Sequence, residues 1–342
     1  MPPAKSVARP ITVREIAAAG RSLAEGSLLL QKGEHVVVVA DADGASVGRA
    51  VAAAAIALGA QATFVRLETL GPRPHADLHP SIRQALGSAQ ASMLIASFDR
   101  GEFEMRSEFV GVATRHNLRH AHLVGVSEQS VVMGFAVDPR RIELLAESLR
   151  SKIGPQSGIH VRSAAGTDLR VRCSPKRRWI EHTGVIRPGM KENLPAGVLE
   201  TCPGEVDGVF VADGTLGDGN GDLHAVLADR PMRLHISGGV VSRFECDDGK
   251  LLADVNGLTQ SSAYLDRVGL VGFGLNKGIT SPTDDIFTDQ KMPGFHLSLG
   301  MTFPPLTGAT WSATNWIAFI GLGADVTIDG VEVLRAGSWV IA

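Results

Sequence analysis

The stretch EHVVVVADADGASVGRAVAAAAIALGAQATFVRL, residues 34–67, decides the fold of the first half of the chain. It opens with a short apolar run rich in β-branched residues. A segment dense in alanine follows, and a second short run, QATFVRL, closes it. A continuous Val/Ile/Leu run is what a strand covered on both faces looks like, and the middle segment has the composition and length of a helix. Strand, helix, strand in about thirty residues is a βαβ unit, and such units build parallel sheets. The same grammar continues outward. ITVREIAAAGRSLAEGSLLLQ (11–31) has apolar residues at helical spacing, and SMLIASF (92–98) and HAHLVGV (120–126) read as further strands separated by a helical stretch. The amphipathic segment DPRRIELLAESLRSKIG (138–154) closes this part, so an α/β domain is expected over residues 1–155.

After residue 155 the period changes from helical to alternating. GIHVRSAAGTDLRVRCS, MRLHISGGVVSRFECDDGKLLADV and ADVTIDGVEVLRAGSWVIA each read as strand, glycine-containing turn, strand. A mainly antiparallel β domain is therefore expected over 156–342, with an active cleft between the two domains. A chain of 342 residues is long enough for two cores.

Composition narrows the function classes. Charged residues make up 20% of the chain and the formal net charge is −3. No basic footprint marks a nucleic-acid partner. The three cysteines, Cys173, Cys202 and Cys246, are widely spaced and odd in number, which argues against a disulfide framework and fits a reducing cytoplasm. The N-terminal residues lack the apolar core of a signal peptide, and no run approaches the ~18 apolar residues of a membrane span. Cytoplasmic localisation, with neither a membrane nor a nucleic-acid partner, is the expectation.

Several short motifs invite a functional reading and yield a structural one. DADGASVGRA (41–50) sits where a phosphate-binding turn would, but has neither G-x-G-x-x-G nor a Walker pattern. HADLH spaces His75, Asp77 and His79 at every second position, a metal pattern on a strand, yet its flanking prolines favour a surface loop. RHNLRHAH (115–122) reads as a cationic helix end, which the helix dipole favours. DGNGDLH (218–224) starts like a calcium loop but has Leu223 where such a loop turns on glycine, so a polar hairpin tip is expected.

One set of segments is not explained by periodicity. NLPAG with TCP nearby (193–203), DGVFVADG (207–214), VGFGLNKGI (271–279), DQKMPGFHLSLG (289–300) and SATNWIAFIG (312–321) occur in this order. Together they resemble the signature segments of the thermophilic metalloprotease family, the aminopeptidase T group, and of its shorter relatives that include 2,5-dihydroxypyridine 5,6-dioxygenase. The resemblance implies a catalytic metal site, homo-oligomeric assembly and a small-molecule substrate. It also assigns ligand positions. The two glutamates would fall on Val198 and Leu270, the histidine on His296, a catalytic tyrosine on Phe303, and a closing His-x-Asp pair on Asn315 and Ile317.

Of these positions only His296 keeps a donor that a divalent ion readily takes. Valine, leucine, phenylalanine and isoleucine supply none, and an amide is a weak ligand. The expectation is thus no bound metal and no other cofactor. The chain is read as a metal-independent enzyme that hydrolyses a C–N or similar bond of a small metabolite, with a cyclic or aromatic compound favoured over a peptide. His296, Asn315, Glu200 and His182 are its candidate catalytic residues, and Val198, Leu270, Phe303, Ile317, Asp289 and Lys291 its candidate substrate contacts. Two alternatives stay open. One is a metal-dependent peptidase or ring-cleaving dioxygenase with a ligand set rebuilt from His182, Glu200, His296 and Asp213. The other is a non-catalytic binding protein.

Overall fold

A computed structural model describes residues 10–341. The chain divides into two compact units, and neither is a single run of sequence. The first comprises the residues up to Pro139 together with Gly184–Pro195, and the second comprises Arg140–Thr183 and Ala196 onward.

The first unit is built on a five-stranded sheet. Its strands run, in spatial order, Gln61–Arg66, His35–Ala40, Ala91–Ala96, Arg119–Val124 and Lys191–Asn193, and every pairing is parallel. Val36 to Ala40 are all buried, as a strand covered on both faces must be. Helices Ala45–Ala57, Pro80–Leu86 and Phe103–Arg115 alternate with the strands. Gly48 lets the first of them approach closely, because a Cβ there would lie 2.8 Å from the Phe64 ring. Helix Val13–Arg21 begins in a capping box, with Thr12 and Glu15 each holding the other's backbone N–H. The edge strand Lys191–Asn193 has only three residues and follows a long excursion of the chain, so periodicity alone does not reveal it.

The second unit is all antiparallel in its strand pairing. An eight-stranded sheet runs in the order Val240–Glu245, Met232–Ser237, Glu205–Ala212, Asp168–Arg172, Gly158–Arg162, Asp325–Ile328, Val331–Arg335 and Ser338–Trp339. A seven-stranded sheet runs His224–Val226, Thr215–Asp218, Trp316–Ile320, Gly294–Gly300, Val268–Gly274, Val198–Thr201 and Trp179–His182. Aromatic rings join the two sheets: Phe210 meets Phe295 at 6.5 Å between centroids, Phe244 meets Phe319 at 6.3 Å and Phe273 meets Trp339 at 5.8 Å. The Asp329-Gly330 turn, with both residues at positive φ, makes the expected tight hairpin. The Asp248-Gly249 pair does not. Asp248 accepts the N–H groups of Lys250 and Leu251 and caps a helix, Gly249–Gln260, where the sequence suggested a strand. Leu251, Val255 and Thr259 recur at four-residue intervals and are buried along one stripe, so helical burial wins over the turn signal. Among the described residues no helix is long and apolar enough to cross a membrane.

Candidate functional site

His296 lies at the third position of strand Gly294–Gly300, in the interior of the seven-stranded sheet. Side chains alternate between the faces of a strand, so cross-strand register states which residues share its face. His296 is opposite Ile320 on one side and Gly272 on the other, and Gly272 is opposite Glu200 on the next strand. One row across the sheet thus reads Ile320, His296, Gly272, Glu200. The alternate face carries Phe295, Leu297, Phe273 and Phe319, the residues that face the second sheet.

Gly272 is what allows His296 and Glu200 to meet. A Cβ at that position would stand 2.7 Å from His296 Nε2 and 2.8 Å from Glu200 Cβ. Across this gap His296 Nε2 lies 3.8 Å from Glu200 Oε2. The histidine is 3% exposed, the Glu200 side chain 14%. His296 Nε2 is buried and, among the described residues, has no hydrogen-bond partner. An unmet buried polar atom costs about 1–3 kcal/mol, so folded proteins rarely leave one without a use. The separation exceeds a hydrogen bond but suits a bridging atom placed about 2.8 Å from each group.

Some of the expected site residues join this row and others do not. Val198 and Leu270 fall on the same face, two residues along their strands from Glu200 and Gly272, and both are buried. His182 is paired with Val198 and so shares the face as well. Ile317 does not. It is opposite Leu299 and Asp218, three residues from Ile320, and therefore points into the sandwich core. Asn315 precedes the strand and is engaged elsewhere: its Nδ2 donates to Asp218 Oδ2 at 3.0 Å and its Oδ1 accepts the Trp316 N–H at 2.9 Å. The residues of this strand that turn toward the His296 face are Trp316, Ala318 and Ile320.

Phe303 has a left-handed backbone and leads into the short helix Pro304–Thr307. Asp289 is buried, bonded to Thr215 Oγ1 at 2.5 Å and to both the N–H and hydroxyl of Thr283, and burial pushes its pKa up. Lys291 Nζ donates to the Phe287 carbonyl. Asp213 accepts the Leu322 N–H at 2.7 Å. Each of these has a structural bond to account for it.

The short motifs in the sequence resolve as loops and caps except RHNLRHAH, expected as a solvated helix end: the helix stops at Arg115, and Arg119–Val124 is a largely buried strand of the parallel sheet. His79 caps the helix Pro80–Leu86, and His75 Nε2 lies 3.1 Å from the Leu67 carbonyl oxygen. Asp218 accepts the N–H groups of Asn220 and Leu223 at the base of a polar turn. A cluster missed in the sequence lies at the carboxyl end of the parallel sheet. Arg73 donates to both Asp41 and Glu102, and Asp41 also accepts from Ser97 and Gly44. Burial alone would raise the pKa of both acids. For Asp41 the N–H groups of Ser97 and Gly44 outweigh it, and for Glu102 the bond from Arg73 does, so both carboxyls are held below the usual range. These residues lie about thirty positions apart in sequence, and no local pattern announces such pairing.

A metal ion needs more than this face provides. Around His296 and Glu200 stand Gly272, Val198, Leu270, Ala318 and Ile320, which carry no metal donor, and His182, the further imidazole on this face, is not grouped with the pair to hold an ion. Among the described residues no three of His, Cys, Asp and Glu are grouped to hold an ion. Non-haem iron takes at least two histidines and a carboxylate, and zinc three protein ligands or more. The donor set does not fit either, whichever register is assumed for the strand Trp316–Ile320.

The fold is a parallel α/β unit and an antiparallel sandwich, with His296 and Glu200 on one inner strand row of the sandwich. The chain belongs to the 2,5-dihydroxypyridine 5,6-dioxygenase (NicX) family, whose model matches residues 23–281. The match ends before the strand that carries His296. Among solved structures, 2,5-dihydroxypyridine dioxygenase from Pseudomonas putida KT2440 is similar, with a TM-score of 0.64 and 17% identity over 97% of this chain and 98% of the other. AmpT from Thermus thermophilus aligns with a TM-score of 0.60 and 17% identity, over 96% and 99% of the two chains. At that identity the likeness shows a shared fold. No curated protein matches the chain by sequence.

Proposed function

We propose that this family member is an enzyme that uses His296 and Glu200 as an acid–base pair on a small cyclic or aromatic metabolite, without a metal ion. The observation that carries the reading is the buried, unpartnered Nε2 of His296, held 3.8 Å from Glu200 Oε2 over a glycine. The reaction that such a pair supports without an oxidant is hydrolysis of a C–N or similar bond. A water bridging the two groups gives a proton to His296 Nε2 as its oxygen bonds to carbon. The imidazolium then returns the proton to the departing nitrogen, while the Glu200 carboxylate stabilises the transient positive charge. Val198 and Leu270 form apolar wall beside the pair and favour a substrate with an apolar ring.

The test is turnover of N-heterocycles and cyclic amides by protein whose metal content has been measured. Wild type is expected to hydrolyse one of them in the presence of chelator, and Glu200→Gln to lose most of that rate while remaining folded. A rate that depends on added iron or zinc would overturn the proposal.

A further inference from the structure

A second candidate site is built entirely from residues of the first unit. Phe98, Phe103, Val110, Arg106, His122 and Lys191 line an open cavity of about 790 Å³. Phe98 and Phe103 are 63% and 61% exposed, a large apolar area to leave in water. Arg106 is the unusual member. It is 8% exposed, yet among the described residues its guanidinium is bonded only to the Asp99 carbonyl oxygen, at 2.6 Å, and lies 5.0 Å from the centre of the Phe98 ring. A guanidinium carries five donors, and a buried cation is normally matched by an anion. Among the described residues no acidic side chain lines the cavity.

The histidines beneath it complete the case. Ser92 Oγ, His120 and His122 form a buried relay, with 3.0 Å from Ser92 Oγ to His120 Nδ1 and 3.2 Å from His120 Nε2 to His122 Nδ1. Burial, aided by the charges of Lys191 and Arg106, pushes the His122 pKa down to about 3, so the ring is neutral. If the Ser92 hydroxyl donates into the relay, His122 Nδ1 accepts and its Nε2 carries the hydrogen. Among the described residues that Nε2 has no partner. A cation-rich pocket with exposed rings and no acid of its own fits an anion on a flat apolar body.

We propose that this cavity binds a small aromatic carboxylate. Its carboxylate takes hydrogen bonds from Arg106 and Lys191, with His122 Nε2–H beside them, and its ring lies against Phe98 and Phe103. Its residues all belong to the first unit, whereas His296 and Glu200 belong to the second.

Calorimetric titration of the full chain with benzoate, benzamide and inorganic phosphate tests this. Benzoate is expected to bind with one site per chain, and benzamide and phosphate at least about tenfold more weakly, because each lacks the charge or the ring. Arg106→Gln, Lys191→Gln and Phe98→Ser should each weaken benzoate by about tenfold or more, while His296→Ala leaves it unchanged. Lys191→Gln keeps the test decisive should Arg106→Gln fail to fold, since Arg106 also holds the Asp99 carbonyl. Equal binding of benzoate and benzamide, indifference to all three substitutions, or loss of binding in His296→Ala would each overturn the proposal. So would self-association of the chain through Phe98 and Phe103 with no benzoate binding.

Discussion

At the scale of the residue, the site rests on two side chains, His296 and Glu200, and one missing Cβ, at Gly272. His296→Ala removes the proton carrier and should cost about 10²–10⁴-fold in turnover while leaving a folded protein. Circular dichroism alongside the assay separates this from unfolding, and an Ala variant with full turnover would make His296 structural. Gly272→Ala is the sharper substitution. The added methyl meets His296 Nε2 at 2.7 Å and Glu200 Cβ at 2.8 Å, and neither neighbour is the loose end of an exposed side chain. Overpacking of this kind costs about 1–3 kcal/mol, and here it also pushes the pair apart. The variant should therefore unfold at lower denaturant and turn over more slowly than its loss of stability explains. His296 was legible in the sequence as the one ligand-position donor kept on an alternating strand. Glu200 was legible only as a neighbour of a lost glutamate, and the role of Gly272 was not legible at all. A glycine's purpose depends on which side chains flank it across strands, and that is set by pairing.

At the scale of the element, register decides the site. Motif order placed Asn315 and Ile317 beside His296, but a strand shifted by one residue turns every side chain to the other face. Ile317 is opposite Leu299 and Asp218, on the core side, while Ala318 and Ile320 share the His296 face. The same alternation that made HLSLG readable as a strand carries no information about its partner's register. Engineering distinguishes the two assignments. Ala318→His with Ile320→Asp should add two donors beside His296, and the purified variant should take up about one zinc per chain. Asn315→His with Ile317→Asp should not, and placing an aspartate at the fully buried Ile317 should lower stability by several kcal/mol. Elemental analysis showing zinc in the second variant and not the first would reverse the assignment. The helix Gly249–Gln260 teaches a similar lesson, since an Asp-Gly pair that signals a turn also serves as a helix cap.

At the scale of the whole molecule, the fold class was readable because two periods divide the chain: helical with apolar strand runs before residue 155, and alternating after it. What escaped was the way the chain crosses between units: the first boundary falls at Pro139 and not at 155, so the helix Pro139–Ser151 goes with the second unit, while Gly184–Pro195 belongs with the first and contributes a three-residue strand. Charge placement sets the pH response. The Asp41 and Glu102 carboxyls are held below their ordinary range, so the folded state binds fewer protons than the unfolded one. Their contribution is present at neutral pH and is lost as pH falls through the folded-state values. His122 acts in the same direction. Its pKa falls from 6.5 to about 3, so unfolding takes up a proton between those values and stability declines as the solution is acidified. Denaturant titrations at stepped pH should show that decline beginning near 6.5. Arg73→Met, which leaves two buried carboxylates without their cation, should lose about 3–5 kcal/mol at neutral pH. A stability unchanged between neutral pH and pH 4 would contradict this picture. The central claim, an acid–base pair that works without a metal, is tested most directly by measuring metal content and turnover on one chelator-dialysed sample. The account predicts undiminished turnover with far less than one metal ion per chain, and turnover lost on chelation and restored by iron or zinc would contradict it.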